Sequence, residues 1–321
     1  MTHHDEHDQA HDHDHDHEDE HEHEHGPLAE LVTVRDWIRY GVTRFNRAGC
    51  FYGHGLQDAY DEAVYLILHT LALPLDRLDP FLDACIPSDE RVEIFDVIEK
   101  RAAERLPAAY ITGEAWLGDY RFKVDPRVII PRSYFAELLH DGFSPWITNP
   151  EAVTSAIDMC TGSGCLAILM AHAFPNAEIV AVDISQDALD VAAENIAAYG
   201  LEDRIKLVLS DGFAAVPEQK FDFILSNPPY VTQEAMDALP AEYLHEPGLA
   251  LGSGEDGLDL VRKLLADAPR FLKADGLLAI EVGHNRHIVD EAFPELAPTW
   301  VSAPSGDDKI FILDADQLAK K

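Results

Sequence analysis

Apolar and polar positions follow three successive regimes along this chain. Between about Leu31 and Glu104, in TVRDWIRYGVTRF, DAYDEAVYLILHTLAL and SDERVEIFDVIEKRAAERL, apolar side chains return at helical spacing. Asp89 and Glu90, flanked by Ser88 and Arg91, mark the start of the third helix. The spacing predicts a small helical domain. In PAAYITGEAWLGDYRFKVDPRVIIPR the pattern shortens: YRFKV and RVIIP are brief β-prone runs, and Asp125-Pro126 between them has the chemistry of a hairpin turn. Beyond it, strand-length apolar runs alternate with helical ones: TSAID, CLAILMAHAF, EIVAVD, SQDALDVAAENIAAYG, RIKLVLSD, FDFILS, a helix from about Gly257 to Leu272, and GLLAIEV. Such alternation predicts a parallel sheet covered by helices on both faces. APTWVSAPSGDDKIFILD predicts two further strands across a polar turn, an antiparallel pair at the far side of the sheet. The expected organisation is therefore a tail over 1–27, a helical domain over 28–105, a hairpin linker over 106–131 and an α/β domain over 132–321.

The tail fits none of these patterns. HHDEHDQAHDHDHDHEDEHEHEH holds no Lys or Arg and almost no apolar side chain, so it cannot bury enough surface to fold and is expected to be disordered. Its alternating imidazoles suit weak binding of divalent transition metals, but no fixed spacing defines a preorganised site, and a solvated tail is the plainer reading. The remaining chain, from a total of 321 residues that is 47% hydrophobic, is long enough for a full core in two units. A formal charge of -35 argues against direct nucleic-acid readout, which needs clustered Lys and Arg, and is compatible with a basic protein partner. Cys50, Cys85, Cys160 and Cys165 form no Cys-x-x-Cys pair, which suits free thiols in a reducing compartment. No apolar run approaches the roughly 18 residues of a membrane span, and the amino terminus is charged where a signal peptide needs an apolar stretch. The expected location is the cytoplasm, with no membrane association.

Candidate chemistry gathers at strand ends. The first strand of the α/β domain runs into Asp158-Met159-Cys160-Thr161-Gly162-Ser163-Gly164-Cys165, where glycines allow a ligand close to the backbone and a helix start offers free N–H groups. Gly162-x-Gly164-x-x-Ala167 also satisfies a loose dinucleotide fingerprint, so a nicotinamide oxidoreductase is a rival. Asp183 ends the second strand, placed to accept both hydroxyls of a ribose; Ser185, the better helix cap, frees it for that role. FDFILS then stops at Ser226-Asn227-Pro228-Pro229-Tyr230. Two prolines remove two successive donors, so no ladder continues, and Asn227 and Tyr230 are expected to face the crevice at the carboxyl ends of the strands.

D-x-C-T-G-S-G-C, the acid at Asp183, Ser210-Asp211 and the NPPY tetrad, in this order and spacing, resemble the S-adenosylmethionine-dependent protein glutamine methyltransferases. Within that family RFNRAGCFYGHG, AAYITGEAWLG and VIIPRSYFAELL are most similar to the branch acting on large-subunit ribosomal protein three; the release-factor branch would carry IPRPxTE. The resemblance covers nearly the whole chain after the tail. It implies an α/β fold with a seven-stranded Rossmann-like class I methyltransferase sheet, preceded by a helical substrate-recognition domain and a β-hairpin linker, with S-adenosyl-L-methionine as cofactor. It also implies that Cys160, Thr161, Gly162, Ser163 and Gly164 line the methionine moiety, with Asp158 also cofactor-binding. Asp183 would hold the ribose and Asp211 would lie by the adenine, with Asn227 also at the cofactor. Asn227, Pro228, Pro229 and Tyr230 would seat the substrate glutamine, with Asn227, Pro228 and Tyr230 catalytic. After Asp211 stands Gly212, where the release-factor branch often has an aromatic residue; Phe213 is then the candidate for adenine stacking, with a core position as the alternative.

The tetrad has suitable chemistry. A glutamine nitrogen is a poor nucleophile because its lone pair is delocalised, so it needs fixing and polarising. The Asn227 side-chain oxygen can accept one amide hydrogen and the Pro228 carbonyl the other, while Tyr230 walls the planar amide. An adenine-directed nucleic-acid methyltransferase shares the planar amine target, but 24 Lys+Arg against 59 Asp+Glu leaves no cationic face for it. A metal-handling protein acting through the tail is the rival from another class. Arg132 in IPRS and Glu246-Pro247 in HEPGLAL are read either as pocket-shaping residues or as surface ion pairs; GSGEDGLDL as a helix opening; and His54 as structural or substrate-docking.

Overall fold

The computed structural model describes residues 26–303 and 306–319. Helices form over Val34–Ala48, Ala59–Thr70 and Ser88–Ala103. Thr33 and Asp36 exchange side-chain and backbone bonds in a capping box at the first, and the Asp58 carboxylate caps the second. Their apolar faces close on one core around Trp37, Phe45, Leu66, Ile94 and Ile98.

The hairpin forms one run earlier than the turn chemistry suggested. β1 (Glu114–Leu117) pairs antiparallel with β2 (Tyr120–Lys123) around Gly118, whose φ of +59° suits the tight reversal. Asp125 instead closes a local turn, accepting the Arg127 N–H at 3.0 Å and pairing with the Arg127 guanidinium. The expected second strand, RVIIP, joins no sheet. Val128 and Ile130 bury against Ala188 and Val191, and the Ile130 N–H is taken by the Glu246 carboxylate at 2.9 Å. A side chain has replaced the ladder, leaving this segment as a strap. AAYIT, ahead of the hairpin, forms a short helix, Ala108–Thr112.

The main sheet comprises β3 (Ser155–Met159), β4 (Glu178–Asp183), β5 (Ile205–Leu209), β6 (Phe221–Ser226), β7 (Leu272–Glu281), β8 (Thr299–Ala303) and β9 (Gly306–Asp314), in the order β5-β4-β3-β6-β7-β9-β8. From β5 to β7 the neighbours are parallel; β9 runs antiparallel to β7 and β8, at the far side as the turn pattern predicted. Helices Phe135–His140, Cys165–Ala173 and Gln186–Ala198 cover one face, meeting Phe223 and Leu225; helix Asp259–Phe271 covers the other, meeting Ile157 and Ile224. Strand order reverses between β3 and β6, so the crevice that open α/β sheets use for ligands lies beyond Met159 and Ser226. Among the described residues no helix is long and apolar enough to cross a membrane. The His-rich tail lies outside the described residues.

Candidate active site

Left-handed backbone at Cys160, Gly162 and Gly164 winds the loop after β3 into helix Cys165–Ala173. A Cβ at Gly162 would meet nothing within 4 Å, so its backbone is open to the crevice; one at Gly164 would come within 3.1 Å of Ala192 Cβ, so that glycine serves helix packing. Asp158 lies under the loop, fully buried. Its Oδ2 accepts the Thr161 hydroxyl at 2.6 Å, and burial pushes its carboxyl up to about 7. Cys160, Thr161, Gly162 and Ser163 border a cavity of about 390 Å³, whereas Asp158 and Gly164 do not.

Asp183 stands at the end of β4 beside this cavity. Its two oxygens accept the Gly162 and Ser185 N–H groups at 2.9 and 3.0 Å, while burial raises its pKa. Ser185 caps the next helix, accepting from the Ala188 N–H, as its sequence position suggested. Each Asp183 oxygen keeps acceptor capacity toward the cavity. Asp211 and Gly212 border the same space; Asp211 is largely exposed and pairs with Lys263 at 2.5 Å. Phe213 is not part of it. It is buried, stacked on Phe271 with centroids 4.5 Å apart, so the aromatic alternative for purine stacking is a core residue. Ile184 is half exposed at the cavity wall.

GSGEDGLDL does open helix Asp259–Phe271, with the Ser253 hydroxyl accepting the Leu260 N–H, but it also walls the cavity through Gly252, Ser253 and Gly254. Its left-handed Gly254 and Gly257 were visible as glycines, yet nothing local says which face they present.

A second cavity, of about 490 Å³, lies on the other side of the tetrad. Pro229 borders the first cavity, Pro228 and Tyr230 the second, and Asn227 both. The Asn227 Nδ2 donates to the Arg132 carbonyl at 3.4 Å, a long bond that ties the tetrad to the strap. Asn285 Nδ2 donates to the Tyr230 carbonyl at 2.6 Å, and the Tyr230 ring lies so close over Gly283 that a Cβ there would fall 2.7 Å from Cε2. Burial and the nearby Glu281 charge push the Tyr230 phenol up, keeping it neutral.

Arg132 and Glu246 are not a surface pair. The Glu246 side chain is wholly buried and takes both Arg132 Nη groups at 2.6 and 2.8 Å, along with the Ile130 N–H. His54 Nε2 approaches it to 3.5 Å from the helical domain, and the His54 ring packs on Tyr243 at 4.5 Å. Although burial opposes ionisation, His54 and Arg132 hold the Glu246 carboxyl down at about 2. Gly53 of the same segment borders the second cavity. A similar set of contacts lies four residues upstream: buried Glu242 accepts from Arg101, Arg105 and the Phe51 N–H. Neither carboxylate has a local sequence signature, because its partners lie more than a hundred residues away. Among the described residues no group of His, Cys, Asp and Glu is arranged to hold a metal ion.

Residues 147–254 match the family model described as methyltransferase small domain. The ribosomal protein uL3 glutamine methyltransferase of Neisseria gonorrhoeae is 56% identical over 289 residues, covering 90% of this chain and 96% of that protein. The protein of the same description from Bradyrhizobium diazoefficiens is 44% identical over 295 residues, covering 90% and 92%. Among solved structures, the hMettl16 catalytic domain in complex with MAT2A 3'UTR hairpin 6 aligns with a TM-score of 0.48 at 14% identity, covering 70% of this chain and 81% of that one.

Proposed function

From its membership of the ribosomal protein uL3 glutamine methyltransferase family, to which this chain belongs, we propose that it transfers a methyl group from S-adenosyl-L-methionine to a glutamine side-chain amide of a large-subunit ribosomal protein. The observation that supports this reading most directly is the position of Asn227, bordering two cavities that meet at the tetrad.

The first cavity fits the cofactor. The open backbone at Gly162 leaves room for the methionine portion, and the start of helix Cys165–Ala173 favours its carboxylate. Asp183 has oxygens free to take both ribose hydroxyls, Ile184 offers the purine an apolar face, and Asp211 lies near its edge. When bound there, the cofactor supplies an electrophilic methyl group on sulfonium.

The second cavity receives the substrate side chain. The Asn227 Nδ2 faces the Arg132 carbonyl, so its Oδ1 is the atom left to accept an N–H of the target amide. β6 stops at Ser226, so the Pro228 carbonyl lies beyond the ladder and accepts the other. Tyr230, held neutral, closes one wall and excludes water. Orientation is the main contribution, worth up to ~7 to 11 kcal/mol in the best intramolecular cases. No base is needed before transfer, because the nitrogen becomes acidic only after it carries the methyl group.

A basic ribosomal protein is a suitable partner for a chain of formal charge -35, and free thiols suit the cytoplasm in which such a substrate is made. The test is transfer of labelled methyl from S-adenosylmethionine to purified large-subunit ribosomal proteins, with release factors and adenine-containing DNA in parallel. Label on a glutamine of one ribosomal protein is the expected result; label on release factors or DNA alone overturns the substrate.

A further inference from the structure

We propose that Glu281 is a catalytic residue whose carboxylate faces the substrate amide and takes the proton that the nitrogen sheds after methylation. This rests on the reading above of which amide is methylated.

The placement follows from the sheet. Glu281 is the last residue of β7, and Ser226 at the end of β6 pairs with Ile280, so Asn227 and Glu281 leave neighbouring parallel strands at the same level. Glu281 is 1% exposed, yet it borders the second cavity with Asn227, Pro228 and Tyr230. It is the sole carboxylate among the described residues that do so.

The surrounding groups leave it able to take up a proton. The Ser133 hydroxyl and the Tyr134 N–H both donate to Oε2, at 2.6 and 3.0 Å. Arg132 favours the ionised form from nearby, but commits both Nη groups to Glu246. The Tyr230 and Tyr134 phenols are pushed up by burial and stay neutral, and Tyr243, raised likewise, borders the same space. His284 turns its Nδ1 to Lys309 at 2.6 Å. Burial pushes the Glu281 carboxyl up to about 7 against its two donors, so it exchanges a proton near neutrality.

The step balances. As the amide nitrogen forms its bond to the methyl carbon, the carbon–sulfur bond breaks and its electrons return to sulfur. The nitrogen then carries the methyl group, two hydrogens and the positive charge. The hydrogen that the Pro228 carbonyl had accepted passes as a proton to a Glu281 oxygen, the N–H electrons return to nitrogen, and a neutral N-methyl amide results. The carboxylic acid releases its proton to water when product leaves.

Glu281 also braces Ser133 and Tyr134 at the start of helix Phe135–His140, and a purely structural role must be separated from a chemical one. Bracing needs an acceptor oxygen, which Glu281→Gln keeps; proton acceptance needs the ionisable group, which Glu281→Asp keeps. Steady-state transfer to purified uL3 would be followed from about pH 5 to about pH 9 for both variants and the parent. Cofactor binding by calorimetry and the melting temperature would be measured alongside. The parent kcat is expected to rise through about 7 and level off. Glu281→Gln should be slower by roughly 10²-fold or more with a flat profile, with cofactor affinity retained. Glu281→Asp should restore a pH-dependent rate. A Gln variant with the parental kcat and profile overturns the assignment, as does equal loss of activity and cofactor binding in both variants. A parent that binds cofactor but labels no ribosomal protein overturns the substrate reading and this inference with it; parental labelling beside a fully active Gln variant overturns this inference alone.

Discussion

The Asn227 side-chain amide donates to the backbone carbonyl of Arg132, 95 residues earlier in the chain, at 3.4 Å. The strap that failed to become a strand thereby sets which way the Asn227 amide points. Removing that amide takes one side chain from a wall that the two cavities share, leaves the Asp183 and Gly162 contacts of the first cavity in place, and deprives the target nitrogen of an acceptor. Asn227→Ala is expected to lower kcat by about 10²- to 10³-fold, by analogy with loss of one preorganised polar contact. Cofactor affinity, read by calorimetry, should change little; a variant with near-normal turnover would remove Asn227 from the mechanism.

Asp183 predicts a different split. Its carboxylate both anchors the Gly162 N–H and offers acceptors to a ribose, so Asp183→Ala loses a charged acceptor and loosens the glycine loop. Hydrogen bonds to charged groups contribute about 1.5–3 kcal/mol each, which corresponds to roughly 10- to 100-fold weaker cofactor binding. Equilibrium titration with S-adenosylmethionine checks this, and an unchanged Kd would assign Asp183 to loop structure alone.

Much of this arrangement was legible in the chain, for identifiable reasons. FDFILS and EIVAVD are apolar on both faces and end in breakers or acids, so their strands and the crevice beyond them follow from pattern alone. The hairpin was misplaced because Asp125-Pro126 carries strong turn chemistry, while Gly118-Asp119 reverses the chain with a weaker signal. The fate of RVIIP depended on Glu246, 116 residues away from Ile130, and Phe213 was drawn into the core by Phe271. Such long-range pairings leave no trace in local periodicity. Glu281 lies within the strand run GLLAIEV without a signal of its own, and the neighbouring register is what places it beside Asn227.

Glu242 and Glu246 make the joint between the helical domain and the catalytic sheet sensitive to acid. Both carboxyls are buried, and although burial opposes ionisation, their hydrogen-bond partners hold each at about 2. The folded pKa lies below the unfolded value near 4.5, so this stabilisation is present above about pH 4.5 and is lost as pH falls toward 2. Urea unfolding of the parent and of Glu246→Gln should therefore differ most near neutrality and converge in acid. A difference that stayed constant with pH would show that the Glu246 charge is not the stabilising element.

Breaking the Glu242 contact should cost more than breaking a surface pair. Arg101 is 1% exposed and joins Glu62 at 2.6 Å and Glu242 at 2.9 Å. Glu242→Ala leaves buried Arg101 with Glu62 alone and deprives Arg105 of its carboxylate, at an expected cost of about 3–5 kcal/mol in unfolding free energy. A loss below about 1 kcal/mol, the range of exposed pairs, would mean that solvent reaches Arg101 in the variant.

Gly53 carries the most direct prediction about the protein substrate. A Cβ there would fall 2.3 Å from the Tyr243 hydroxyl oxygen and 2.6 Å from Phe51 Cε1. Tyr243 can yield chiefly toward the open space it borders, because His54 packs on its ring at 4.5 Å and the Arg132 guanidinium lies 5.3 Å from its centroid. Gly53→Ala should therefore displace Tyr243 into the second cavity, which both residues border, without touching the first. The expected result is a KM for uL3 raised by about 10-fold, the effect of roughly 1.4 kcal/mol, with cofactor affinity unchanged. A matched loss of cofactor binding would instead show that the two cavities move together, and that the helical domain shapes the whole crevice rather than its substrate side.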